Sequence, residues 1–271
     1  MKLSVIITTY NAEEWLHKVL VGYSVQTTTD FEIVIADDGS TPKVKEVLAL
    51  FSAKFKYPII HVWQEDLGFR KSEILNKAIL KTNADYLLFT DGDCIPRKDF
   101  VAVHLKHKEE GSFLSGGYFK LPMNLSKAIT DDDIIKQNCF DVLWLKKQGL
   151  SLSFKASKLT HNKYFAAFMN WLTPTKRTFN GHNTSCFKSD IIAVNGFNED
   201  MQYGGLDREV GERLFNNGLI SKQIRYAAVC VHLDHARGYF SQEGWDKNLA
   251  IRAYNKKHHI IKIKNGIEKL A

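Results

Sequence analysis

Leu3-Ser4-Val5-Ile6-Ile7-Thr8-Thr9 is a short β-branched run that ends in Tyr10-Asn11 and gives way to Glu13 to Ser24, where apolar residues recur at helical spacing. The same alternation repeats twice. Apolar runs at Glu32 to Ala36, Ile59 to Trp63 and Tyr86 to Thr90 are separated by helical patterns over Lys43 to Phe55 and Lys71 to Lys81. Strands alternating with helices predict an α/β fold with a mostly parallel central sheet flanked by helices. The second helix is expected to open after Ser40-Thr41-Pro42, where a hydroxyl cap and a first-turn proline are both favourable.

In such a sheet ligands gather beyond the carboxyl ends of the strands, where helix N-termini leave backbone amides unpaired. The polar residues follow the strands accordingly: Thr8-Thr9-Tyr10-Asn11, Asp37-Asp38-Gly39-Ser40, Gln64-Glu65-Asp66 and Asp91-Gly92-Asp93. Asp91 and Asp93 flank a glycine at a strand end and offer the hard oxygen ligands that Mg²⁺ or Mn²⁺ on a diphosphate requires; a plain turn with solvated acids is the alternative. Asp38, beside Thr8 and Tyr10, could accept the N3–H of a uracil while Tyr10 offers a ring for stacking.

Composition bounds the rest. The chain has 271 residues, 44% of them hydrophobic and 25% charged, with 17 glycines and five prolines, which excludes collagen-like, disordered and mucin-like classes. A net charge of +7 suits an anionic partner without choosing one. Cys94, Cys139, Cys186 and Cys230 show no paired spacing, arguing against a disulfide framework or a zinc knuckle. With no leader pattern after Met1 and no apolar stretch of membrane-spanning length, the expectation is a cytoplasmic protein, peripheral at most on the inner face of the membrane.

The four strand-end motifs, in this order, resemble the nucleotide-sugar-binding half of family 2 glycosyltransferases with the GT-A fold, over residues 1 to about 120. A second block, Asn195-Gly196-Phe197-Asn198-Glu199 followed by Tyr203-Gly204-Gly205-Leu206-Asp207, resembles the galactosyltransferase-like C-terminal region of bacterial polysaccharide and chondroitin-polymerase-type transferases. That region usually carries a Glu-Asp dyad; here Leu206 replaces the glutamate and Asp207 remains. Leu75 likewise stands where many relatives carry arginine, leaving Arg70 or Lys71 to supply positive charge.

The resemblance implies a metal-dependent, inverting transferase. It would move a hexose or N-acetylhexosamine from a UDP-sugar to a saccharide or lipid-linked saccharide acceptor, in bacterial surface polysaccharide or lipopolysaccharide synthesis. It gives Asp207 the role of general base, and assigns Mn²⁺ (or Mg²⁺) to Asp93 and His232, with His235 the alternative histidine. Thr8, Tyr10, Asp38, Asp66, Arg70, Asp91, His182 and Asn183 would line the donor, while Trp144 and Trp171 could stack on acceptor sugars.

Three parts are expected: a donor-binding half (1–121), an acceptor-binding and catalytic half of the same domain (122–240), and a basic amphipathic tail (241–271). The tail's Trp245, Ile251, Ile260 and Ile261 could rest on an anionic membrane or equally pack on the domain itself. A nicotinamide-dependent Rossmann enzyme would need GxGxxG where Thr8-Thr9-Tyr10-Asn11 stands. No nucleic-acid partner is expected, and a catalytically degenerate nucleotide-sugar or glycan-binding module is the remaining alternative.

Overall fold

The computed structural model describes residues 1–151, 153–175, 178–235 and 240–269. Its elements run β1 (Leu3–Thr9), α1 (Glu13–Ser24), β2 (Phe31–Asp37), α2 (Pro42–Ser52), β3 (Ile59–Trp63), α3 (Lys71–Lys81) and β4 (Tyr86–Asp91). Then follow β5 (Cys94–Pro96), α4 (Phe100–His107), β6 (Ser112–Ser115), β7 (Gly117–Lys120), α5 (Met123–Ala128), α6 (Asp131–Ile135), α7 (Val142–Lys147) and α8 (Lys163–Leu172). The chain finishes with β8 (Thr184–Phe187), α9 (Lys188–Ala193), α10 (Leu206–Asn216), β9 (Ile220–Gln223), β10 (Val229–His232) and α11 (Gln242–Lys257).

A seven-stranded sheet has the order β3-β2-β1-β4-β8-β6-β9, and a three-stranded sheet has β5-β10-β7. β1 is parallel to both β2 and β4, while β8 runs antiparallel to β4 and β6. Alternation along β1 explains why the sheet is covered on both faces. Leu3, Val5 and Ile7 join an apolar core with α1, whereas Ile6 joins a second core with Ile74, Ala78 and Ile79 of α3. Each fully buried aliphatic side chain stabilises the fold by about 1.5–3 kcal/mol, so both faces hold the sheet in place.

Sequence and structure agree closely through β4. The second helix ends at Ser52 rather than Phe55, and it opens with Pro42 as expected. Thr41 does not cap it through its hydroxyl. The loop is tied instead by Asn11, whose amide N–H donates to Ser40 Oγ at 2.9 Å while its side-chain oxygen accepts from the Thr41 N–H at 2.9 Å.

The second half departs more. The apolar run from Ile224 to His232 forms a strand only over Val229–His232, because a turn at Arg225 to Ala227 carries the chain from the large sheet to the small one. α10 begins at Leu206, so Asp207 is a first-turn residue rather than a cap. Its helix is locked by a fully buried pair: Arg213 donates to Glu209 at 2.7 and 2.8 Å and to the Gly196 carbonyl at 2.7 Å. Asn255 of α11 adds a hydrogen bond to Glu209 at 2.7 Å. Buried charges this well partnered fix geometry, and removing one partner costs about 3–5 kcal/mol.

Of the two readings of the tail, Trp245 and Ile251 follow packing on the domain: Trp245 lies over Gly204, and Ile251 packs against the second core. Asn248 donates to the carbonyls of Gln202 and Gly204 at 2.9 and 2.7 Å, and Arg252 pairs with Glu212. Residues 270–271 of the expected tail lie outside the described residues.

Candidate active site

A cleft of about 1060 Å³ opens at the carboxyl ends of β1 and β4. Its near wall follows from strand register. Thr8 sits opposite Asp91 in the β1–β4 pair, and its hydroxyl donates to Asp91 Oδ1 at 2.7 Å. Lys71, the first residue of α3, reaches the same oxygen at 2.7 Å. Burial pulls the Lys71 ammonium down, but the carboxylates of Asp91, Asp207 and Asp93 outweigh it and hold the lysine charged. Burial likewise works against the Asp91 carboxylate, and Lys71 and Thr8 overcome it, keeping Asp91 ionised well below the usual range.

Asp38 lines the cleft, and each of its oxygens accepts one hydrogen bond and keeps a lone pair for a second. It accepts from Gln64 Nε2 at 2.6 Å and from the Arg70 N–H at 2.9 Å, and burial raises its pKa. Tyr10 also lines the cleft and donates to Asp66 Oδ2 at 2.8 Å, so Asp66 supports the tyrosine from behind. Arg70 turns away: its guanidinium meets Glu73 at 3.1 Å and the Glu65 carbonyl, while Lys71 and Lys120 line the cleft.

The far wall is assembled from distant segments. β10 runs antiparallel to β5 with His232 opposite Cys94, which brings the histidine beside Asp93. His232 Nε2 lies 3.6 Å and His235 Nε2 3.0 Å from Asp93 Oδ2, with the two rings stacked 5.8 Å apart. Asp93, Cys94 and His232 place one ligand atom each within 4.8 Å of one another. Burial pushes the Cys94 thiol up, so it stays protonated, and the donors suited to Mn²⁺ are carboxylate and imidazole. His232 Nδ1 is buried and has no hydrogen-bond partner among the described residues. The residues fit a divalent ion.

Asp207 reaches the cleft from the first turn of α10, where the helix dipole favours a carboxylate. Its Oδ1 is buried without a partner, and burial raises its pKa. A Cβ on Gly181 would lie 2.6 Å from that oxygen, so an added methyl there would push the carboxylate aside. His182 lines the same wall, its ring 4.6 Å from Tyr118, and burial pulls its pKa down to about 4. Asn183 does not reach the cleft. Fully buried, it donates to the carbonyls of Gly117 and Ala228 at 2.7 and 3.0 Å and meets His104 at 2.9 Å, joining both sheets beneath His182.

Neither acceptor-stacking tryptophan lines this cleft: Trp144 packs against the first core and Trp171 is exposed on α8. Lys71 and Trp245 hold the places that the sequence left open or misplaced. The signal for Lys71 was a cation at a helix N-terminus, which the dipole disfavours unless an acid faces it. Trp245 carried no such signal.

The family model for glycosyl transferase family 2 matches residues 4–173. The chain belongs to that family. It is 29% identical over 235 residues to validoxylamine A glucosyltransferase of Streptomyces hygroscopicus subsp. limoneus, covering 80% of this chain and 48% of that protein. The chain thus spans about half the length of that relative. It is 25% identical over 239 residues to chondroitin synthase of Escherichia coli, covering 83% of this chain and 34% of that one.

Among solved structures, S. aureus TarS 1-349 in complex with UDP-GlcNAc aligns with a TM-score of 0.64 at 15% identity, over 96% of this chain and 70% of that chain. Mannosyltransferase PcManGT from Pyrobaculum calidifontis, in complex with GDP-Man and Mn²⁺, aligns at 0.58 and 19% identity, over 93% and 69%. The fold is therefore GT-A, in keeping with the family.

Proposed function

We propose that this glycosyltransferase moves a hexose or N-acetylhexosamine from a UDP-sugar to a saccharide acceptor, free or lipid-linked, with inversion, in bacterial surface polysaccharide or lipopolysaccharide synthesis. The observation that carries the reading is one cleft lined both by the Asp93–His232–His235 group and by the Asp207 carboxylate. Asp93 and His232 would hold Mn²⁺ or Mg²⁺, with His235 the alternative imidazole. When bound, the ion supplies positive charge where the leaving diphosphate gathers negative charge.

The protein's own groups do the rest. Tyr10 offers its ring and Asp38 its carboxylate to the base, with Thr8 at the adjoining strand end. Lys71 keeps Asp91 ionised, so the floor of the cleft carries a fixed, balanced charge. Asp207 takes the proton from the acceptor hydroxyl as its oxygen bonds to the anomeric carbon and the bond to UDP breaks on the opposite face. A carboxylate whose affinity for protons is raised by burial is the better base near neutral pH.

Calorimetric titration of UDP with and without Mn²⁺, on the wild type and Asp93→Ala, tests the metal arm. Metal-dependent binding lost in the variant supports it, and equal binding in all four titrations removes it. A single-anomer product of opposite configuration, read by NMR, tests inversion. One observation favours a second reading, a binding module without turnover: Leu206, where relatives carry glutamate, is buried in the second core. UDP bound with no UDP released from any donor–acceptor pair would decide for it.

A further inference from the structure

Helix α8, Lys163–Leu172, is built the wrong way round for a helix facing water. Its buried positions are Ala166 and Met169, which pack on Tyr226, while Tyr164, Phe168, Trp171 and Leu172 are 76%, 51%, 78% and 51% exposed. Those four fall at i, i+4, i+7 and i+8, one face of the helix. The inner side is firmly attached: Asn170 accepts from the Tyr226 N–H at 2.9 Å, and its carbonyl accepts from Gln223 at 3.1 Å. Phe154 and Leu143, on the preceding segments, are also exposed, at 74% and 70%.

Charge singles out the same stretch. Between Asp141 and Asp190 there is no acidic residue and there are eight lysines and arginines, one more than the chain's whole excess of seven. The rest of the chain therefore carries slightly more acids than bases. Lys146, Lys147, Lys155 and Lys163 are exposed, and Lys163 Nζ sits 5.2 Å over the Tyr164 ring. Exposed aromatic and aliphatic side chains among exposed cations match the boundary of an anionic bilayer, where rings sit at headgroup depth and lysines meet phosphates. A second copy of the chain would bring the same positive charge against itself.

We infer that the α8 face docks this protein peripherally on an anionic lipid surface. Cleft and surface are linked: Lys158, from the same acid-free stretch, donates to the carbonyl of Tyr118 at 3.2 Å, and Tyr118 lines the cleft. An acceptor carried on lipid would so reach the cleft from the membrane side. The docking itself does not depend on the transfer reaction proposed above.

Co-sedimentation with vesicles of phosphatidylcholine alone, and of equal parts phosphatidylcholine and phosphatidylglycerol, tests the surface at low and high salt. The wild type is expected to bind the anionic vesicles and release them as salt rises. Lys155→Gln with Lys163→Gln should weaken binding by about fivefold per lysine. Phe168→Ser with Trp171→Ser should abolish it while leaving the melting temperature and UDP binding unchanged, since both side chains are exposed. Wild type that ignores anionic vesicles, or equal binding by the Phe168/Trp171 variant, overturns the inference. So does a lipid-free dimer that this variant splits, which would make the face a contact between copies.

Discussion

The two walls of the cleft are built on different principles. The near wall comes from neighbouring strands, β1 and β4, whose parallel register sets Thr8 against Asp91, and from α3, which delivers Lys71. The far wall gathers Gly181, Asp207, His232 and Trp245 from segments that meet only because α10, β10 and α11 pack together. A wall set by register is tolerant, since the ladder holds it whatever lies nearby. A wall set by packing is exposed to any side chain that alters the packing.

The largest test of that contrast is Asp207→Asn. Losing the base should lower the transfer rate by about 10²–10⁴-fold with UDP-sugar binding kept, measured by steady-state kinetics beside calorimetry. A rate within a few-fold of wild type would leave Asp207 a structural acid and the far wall without its chemistry.

Gly181→Ala should come next. Its added methyl displaces the Asp207 carboxylate, and a misplacement of that order costs up to about 10²-fold in rate. Thermal melting should move little. If the loss appears in stability and not in rate, the turn serves folding alone.

His104 sharpens the comparison from beneath the far wall. It is fully buried between Ser185 at 2.7 Å and Asn183 at 2.9 Å, and burial pulls its pKa down to about 3. The unfolded chain therefore binds a proton that the folded one refuses. The stability this histidine allows is complete above its unfolded value near about 6.5. It falls as pH drops from there towards about 3, by up to about 1.4 kcal/mol per pH unit. Urea unfolding between pH 7 and 4 should show that slope, and His104→Gln should flatten it.

Arg70→Ala should have the smallest effect. Its guanidinium faces Glu73 rather than the cleft, so the donor KM should stay within about threefold of wild type. A large rise in KM would place Arg70 on the donor after all.

Legibility follows the same division. β1, α1, β3 and α3 match their sequence patterns residue for residue, because hydrophobic period and local turn residues decide them. Asp91 and Asp93 could be read as a site from their place after a strand. Their division of labour could not: one meets Lys71 and Thr8, the other two histidines near the end of β10. Asn183 reads as a polar residue beside a candidate ligand and proves to be a buried strut. Trp245 reads as an exposed aromatic in a basic tail and proves to close over Gly204.

By itself the sequence determined the alternating strands and helices, the strand-end motifs of a family 2 glycosyltransferase, and the acids and histidines that could serve it. These depend on neighbours within a few residues, where periodicity and turn chemistry act. Tertiary structure decided which polar groups point into the cleft and which brace it. It also decided which aromatic side chains were left facing outward on α8. Those outcomes depend on contacts between residues far apart in the chain, and no local pattern encodes the packing that brings them together.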